Sequence, residues 1–294
     1  MTTIGGLPNL VYLNPGSGDF SHVAPTDLGP PGAQTPYTTS VRAIDVNNDG
    51  AVDLIVGNAD RPNQIYLGDP AQRGTFGSEP IPFGAATDVT RDVEVADVDG
   101  DGAADIIVAN DGQPNRVYYG SSMLFLGAAP RYGTDPLDEV AFGGDGPTSS
   151  VDAAHLNGDG RTDLVFGSNG AADEVYLGSG PRYTRTDLAT VSPTRLLGTA
   201  DTLTTDVAIG DVTGDGAPDV VLAITGGRNL LFAGTGNGDF AVVASLPIGT
   251  ESERSQTAQL ADVDGDADLD VVFGNADGSS ATYYSEAGAL APTA

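Results

Sequence analysis

The stretch Asp97-Val98-Asp99-Gly100-Asp101-Gly102-Ala103-Ala104-Asp105, running straight into Ile106-Ile107-Val108, decides how this chain folds. Acids stand at positions 1, 3, 5 and 9 of the window, and a glycine stands at position 6. Oxygens at alternate positions fold a loop around one point, and the glycine supplies the sharp turn. The apolar triplet that follows is the signature of a buried strand. The pattern recurs as DVNNDGAVD at 45–53, HLNGDGRTD at 155–163, DVTGDGAPD at 211–219 and DVDGDADLD at 262–270, so that successive windows start 52, 58, 56 and 51 residues apart. An aromatic residue stands 13 positions after the last Asp every time, at Tyr66, Tyr118, Tyr176, Phe232 and Tyr283.

The residues before each window alternate. Val41 and Ala43, Val93 and Val95, Val151 and Ala153, Val207 and Ile209, and Ala258 and Leu260 share one face, while Arg42, Glu94, Asp152 and Gln259 share the other, with Ala208 the exception. Period two of this kind marks a strand with one face buried. Each unit therefore reads as strand, Asp loop, buried strand, turn, aromatic strand and a variable fourth strand, such as Phe240-Ala241-Val242-Val243 or the region of Arg182-Tyr183-Thr184. Four short antiparallel strands per unit, with no stretch of helical period, predict an all-β fold, a β-propeller of four-stranded blades. Five blades are expected, with six, one of them incomplete, as the alternative.

The expected organisation is a single propeller over 1–294, with units near 40–91, 92–149, 150–205, 206–257 and 258–294. Pro8-Asn9-Leu10-Val11-Tyr12 matches Pro62-Asn63-Gln64-Ile65-Tyr66, and Gly16-Ser17-Gly18-Asp19-Phe20 matches Gly236-Asn237-Gly238-Asp239-Phe240. Residues 8–24 thus read as a partial unit holding a third and a fourth strand, which would close the ring by pairing with the C-terminal blade. His22 falls in that fourth strand.

Composition excludes several functions. Asp and Glu number 41 against 12 Lys and Arg, a net charge of −29, and all twelve of the basic residues are Arg. Nucleic acid and anionic membranes would meet a surface of their own sign. Without Cys there is no disulfide framework or thiolate site, and without Lys no Walker phosphate loop. A hydrophobic share of 39% separates the chain from a disordered acidic tail. No apolar run is long enough to insert in a membrane, and the first residues do not read as a signal peptide.

The windows supply hard oxygen donors, which favour Ca²⁺ over softer metals. Candidate ligands are Asp45, Asn47, Asp49, the Ala51 carbonyl and Asp53 in window one, and Asp97, Asp99, Asp101, the Ala103 carbonyl and Asp105 in window two. Window three offers Asn157, Asp159, the Arg161 carbonyl and Asp163, with His155 replacing the first acid and so weakening the site. Window four offers Asp211, Thr213, Asp215, the Ala217 carbonyl and Asp219, and window five Asp262, Asp264, Asp266, Asp268 and Asp270. Four to five calcium ions are expected. Ala267 stands at the position-6 glycine's place, where a positive φ is expected.

These windows, with the Pro-Asn-x-Ile/Val-Tyr strands, make the chain similar to FG-GAP/VCBS repeats, as in the integrin α-subunit propeller. The resemblance covers about residues 8–288. It implies a calcium-stabilised propeller at an extracellular or cell-surface location, serving adhesion or the binding of a protein or glycan. A propeller-scaffold polysaccharide lyase or hydrolase is the catalytic alternative, and an acidic subunit of a larger assembly is the third. Tyr37, Tyr132 and Tyr183, outside the repeated aromatic position, are candidates for stacking on a sugar.

Overall fold

A computed structural model describes residues 9–29, 37–59, 61–120, 139–178, 193–240, 246–248, 254–286 and 289–292. Among them there is no helix. Five four-stranded antiparallel sheets follow one another along the chain, each numbered here with its window. Blade one comprises Thr38–Ile44, Asp53–Asn58, Asn63–Tyr66 and Ile81–Phe83. Blade two comprises Thr90–Ala96, Asp105–Asn110, Asn115–Tyr118 and Glu139–Phe142, and blade three Thr148–Ala154, Asp163–Ser168, Asp173–Tyr176 and Arg195–Leu197. Blade four comprises Thr204–Gly210, Asp219–Ile224, Asn229–Phe232 and Leu246–Ile248, and blade five Ser255–Ala261, Asp270–Asn275, Ser280–Glu286 and Ala289–Pro292. The fold is an all-β propeller, with the Asp loop always joining the first strand to the second.

Two of the fourth strands lie elsewhere than expected. In blade four it is Leu246–Ile248, while Phe240 makes only an isolated bridge with Gly234 and 241–245 lie outside the described residues. In blade three it is Arg195–Leu197, and the 182–184 region lies outside the described residues, as do Tyr132 and Tyr183. The N-terminal segment also differs from expectation. Leu10–Val11 pairs with Thr26–Asp27 in a separate two-stranded sheet and blade five has four strands of its own, so among the described residues these two elements do not share a sheet. His22 lies in an exposed turn before that second strand.

In blades one to four the third strand opens with an Asn or Asp whose side chain closes the hairpin. The Oδ1 atoms of Asn63, Asn115, Asp173 and Asn229 accept the N–H groups of Asn58, Asn110, Ser168 and Ile224 at 2.7–2.9 Å. The core lies between blades. Val46, Ile55, Ile65 and Phe83 of blade one pack on Val93, Ile106, Val108 and Tyr118 of blade two. Equivalent residues fill the later interfaces, and the repeated tyrosines meet neighbouring phenylalanines edge to face, as in Phe83–Tyr118, with centroids 5.2 Å apart.

First strands neighbour one another around an axis, and polar bonds stitch them. Each carries a bulge near its start. The hydroxyls of Thr39, Ser149 and Thr205 at that bulge each donate to a carbonyl of their own second strand or of the next blade, as Thr39 Oγ1 does to Gly57 O (3.1 Å) and Thr90 O (2.9 Å). One residue on, Ser40, Asp92, Ser150 and Asp206 form a chain of hydrogen bonds across four blades. Carboxylates also accept amides of the following blade: Asp92 from Val151, Asp152 from Ile209 and Asp206 from Ala258. The face expected to meet solvent therefore lines an axial cavity of about 420 Å³, with Arg42, Glu94, Asp152, Asp206 and Gln259 in its wall.

Burial pushes Asp152 and Asp173 up to about 7, with the charge of Glu94 adding to the effect at Asp152. A carboxyl whose folded pKa lies above its unfolded value adds most stability below the unfolded value and loses it as pH rises through the folded one. With calcium chelated, the urea midpoint should therefore be higher near pH 5 than near pH 8. Asp152→Asn should reduce that difference.

Close approach explains a repeated glycine. A Cβ on Gly120 would lie 2.2 Å from the Ala104 carbonyl oxygen, and one on Gly234 would lie 2.0 Å from that of Pro218. Gly120→Ala should cost about 1–3 kcal/mol by forcing these strands apart, as read from urea unfolding.

Candidate metal centre in the aspartate loops

Each loop is built on its last acid. Asp53, Asp105, Asp163, Asp219 and Asp270 are completely buried at the start of the second strands. One oxygen of each accepts the N–H of window position 2, on Val46, Val98, Leu156, Val212 and Val263, at 2.7–2.9 Å. The other accepts an N–H at the end of the third strand, on Gly68, Gly120, Gly178, Gly234 and Ser285, at 2.7–3.0 Å. Position 9, expected only as a ligand, also holds loop, second strand and third strand together. Its invariance of type in all five windows was the available signal.

Position 1 organises the turn. Asp97 accepts the amides of Gly100, Asp101 and Gly102, and Asp45, Asp211 and Asp262 take equivalent amides. Position 5 accepts the amide of position 7, as Asp101 does from Ala103 at 2.8 Å. These bonds draw the acids inward. Carboxylate oxygens of Asp97, Asp99 and Asp105 lie within 4.8 Å of one another, as do those of Asp262, Asp264 and Asp270. The position-5 acids Asp101 and Asp266 are outside these close trios.

A model of the FG-GAP-like repeat matches residues 4–56, 45–108, 97–166, 155–222 and 211–273. The chain belongs to the FG-GAP-like repeat family. Two solved structures similar to this FG-GAP-like chain are crystal structures of BBS1N in complex with ARL6DN, one soaked with mercury and one with lead. Their TM-scores are 0.53 and 0.54 at 14% identity, which is a likeness of fold. The alignments cover 87% of this chain and 66% and 68% of those chains, so it spans about two thirds of their length. No curated protein matches the sequence.

The FG-GAP-like loops are unequal. In window one, Asn47 turns its amide Nδ2 onto Asp49 at 2.9 Å. In window four, Thr213 puts a hydroxyl where windows two and five have a carboxylate. In window three, the His155 Nδ1 contacts the Arg161 carbonyl, the oxygen expected to be a ligand. The Arg161 guanidinium there lies 3.6 Å from Asp159 and supplies charge that the other loops lack. Window five bends as expected at Ala267, whose φ of 78° matches the 78–89° of the glycines at position 6. Position 4 is left-handed too, at Asn48, Gly100, Gly158, Gly214 and Gly265, a requirement the residue types carried but the reading of the sequence overlooked.

The electrostatics suit a hard cation. Burial pushes Asp105 up to about 8, and although the amides of Val98 and Gly120 oppose this, the charges of Asp99 and Asp101 reinforce it. Burial likewise raises Asp53, Asp163 and Asp219. Two or more unneutralised acids at one point, with only oxygen donors around them, match what a divalent hard ion needs.

The two roles of the acids are separable. Asp163→Ala strands two buried amides and should cost about 2–5 kcal/mol whether or not a chelator is present. Asp99→Ala, which removes the acceptor of the Asp101 amide within the loop, should cost much less than Asp163→Ala with chelator present and should remove the increment that calcium adds. Urea titrations with and without chelator distinguish the two.

Proposed function

We propose that this FG-GAP-like propeller is a non-catalytic binding module whose Asp loops hold calcium as structural ions. The observation that carries the reading is the pair of carboxylate trios, Asp97/Asp99/Asp105 and Asp262/Asp264/Asp270, each within 4.8 Å. Windows two and five would bind most tightly, windows one and four less so through Asn47 and Thr213, and window three least. The ion would replace like-charge repulsion by attraction inside loops already shaped by backbone bonds. An extracellular or cell-surface location goes with this reading, since calcium there fills even sites with a Kd of about 10⁻⁴–10⁻³ M.

The ligand would be a protein or glycan. Blades offer rigid, repeated edges and two mouths to the axial cavity. At one mouth the exposed Tyr37 ring lies with Arg91, Asp111 and Gln256 around a cavity of about 470 Å³. The related fold of BBS1N was solved with a bound protein, ARL6DN, which supports protein recognition by this kind of scaffold.

Calorimetry tests the calcium reading. Ions bound only by the native state stabilise it by mass action, by about 2.7 kcal/mol per site at a hundredfold excess over Kd. Excess chelator should lower the Tm by several degrees, and calcium, but not sodium at equal ionic strength, should restore it. An unchanged Tm would sink the structural-calcium reading. A glycan array and a pull-down at fixed calcium then separate sugar from protein ligands.

A further inference from the structure

A peptide unit near the start of the Asp loop is gripped from two sides. Its N–H holds the buried carboxylate at position 9 of its own loop: Val98 donates to Asp105 at 2.7 Å, and Thr213 donates to Asp219 at 2.8 Å. The carbonyl of the same peptide unit accepts a donor from the following blade. Thr162 Oγ1 donates to the Asp97 carbonyl at 2.8 Å, across the interface of blades two and three. Ser285 Oγ donates to the Val212 carbonyl at 2.9 Å, across the interface of blades four and five. In loop three the Leu156 carbonyl accepts the Gly238 N–H of blade four at 3.1 Å, and the Asn157 amide of that peptide bonds Asp163.

Both hydroxyls depart from the repeat. Position 8 of the windows is Val52, Ala104, Pro218 or Leu269, and Thr162 alone is polar there. The donors at the ends of the third strands are Gly68, Gly120, Gly178 and Gly234, and Ser285 takes that place in blade five. Thr162 is 8% exposed and Ser285 1%. A buried hydroxyl is costly unless it is bonded, and each of these directs its proton to a carbonyl of the preceding loop.

Each also stands beside the position-9 acid of its own loop. Thr162 precedes Asp163 in sequence, and the Ser285 N–H donates to Asp270 at 3.0 Å. The path between blades four and five is therefore continuous: Asp270, the Ser285 amide and hydroxyl, the Val212–Thr213 peptide, Asp219. Between blades two and three, window three braces window two, whose acids form a close trio. A peptide whose carbonyl is hydrogen-bonded is a stronger donor at its N–H. Fixed by the neighbouring blade, that donor holds the position-9 oxygen in place before an ion arrives, so less ordering is left to occur on binding.

We propose that Thr162 and Ser285 are positioning residues for the calcium sites of the preceding loops, in windows two and four, so that ion affinity there depends on the docking of blades three and five. This coupling rests on the structural-calcium reading above, and it gives the degenerate window three a part in ion binding that needs no ion of its own.

Glycine-selective ¹⁵N labelling of the full chain follows the two sites separately, because Gly102 and Gly216 stand at position 6 of windows two and four. When calcium is titrated into chelator-stripped protein, Thr162→Val should weaken binding read at Gly102 about three- to tenfold and leave that at Gly216 as in the parent. Ser285→Ala should do the reverse. The loss is smaller than the roughly ten- to hundredfold that follows removal of a direct partner of a ligand, since the hydroxyls act through a peptide. Thr162→Ser, which keeps the hydroxyl, should titrate like the parent. Thr162→Ala is the second hydroxyl-free variant should the valine methyl disturb the interface. Parent affinity at Gly102 in the hydroxyl-free variants, or equal weakening at Gly102 and Gly216 by one substitution, overturns the coupling while the calcium reading stands. So does a loss in Thr162→Ser as deep as in Thr162→Val. Gly102 and Gly216 signals that ignore calcium in the parent overturn both the coupling and the calcium reading beneath it.

Discussion

A buried carboxylate that must find donors for both of its oxygens governs this structure. Placing Asp at the start of a second strand would be costly if its oxygens went unpaired. The chain satisfies one with the amide at the start of the Asp loop and the other with an amide at the end of the third strand. Those two bonds set the loop's shape, the register between strands and the site where the third strand must stop. The close glycine contacts at Gly120 and Gly234 follow, since the third strand is drawn so near the second that no Cβ fits. The loop acids then converge because the frame beneath them is already fixed. Metal chemistry and folding thus share one residue, and a change there alters both.

The second layer of order is the polar seam around the axis. Short blades cannot rely on apolar contacts alone where their first strands meet, because those strands approach at their narrow edges. Bulge hydroxyls and the series Ser40, Asp92, Ser150 and Asp206 carry the bonding from blade to blade. Seating acids in this seam has an electrostatic cost, visible in the upward shifts of Asp152 and Asp173. Arg42, 2.9 Å from Glu94, offsets part of it at one side only.

The repeat, the class of fold and the approach of loop acids were legible because they rest on spacing, and spacing is one-dimensional. Val93 and Val151 could be placed on a buried face from alternation alone. Val41, 52% exposed, could not be told from them, since exposure depends on what lies beside a blade and not on neighbours in sequence. The polar faces of the first strands were read as solvent-facing for a similar reason: period two separates two faces but does not say that one of them curves around an axis. Thr39, Ser149 and Thr205 were legible in principle, because they occupy equal distances before their windows. The fourth strands were not, since the segments before them vary in length and only pairing with the third strand fixes where they form.

The separateness of the N-terminal pair from blade five has a consequence for how the molecule comes apart. A propeller whose last sheet contains strands from both termini must break that sheet before any blade can leave. Among the described residues the N-terminal pair and blade five share no sheet, and each blade is held by its neighbours in the manner of a curved stack. In such a stack cohesion is a sum of nearest-neighbour terms, so opening begins at an end and travels inward. Amide protons of blades two to four would then be the slowest to exchange, and those of the N-terminal pair the first to be lost.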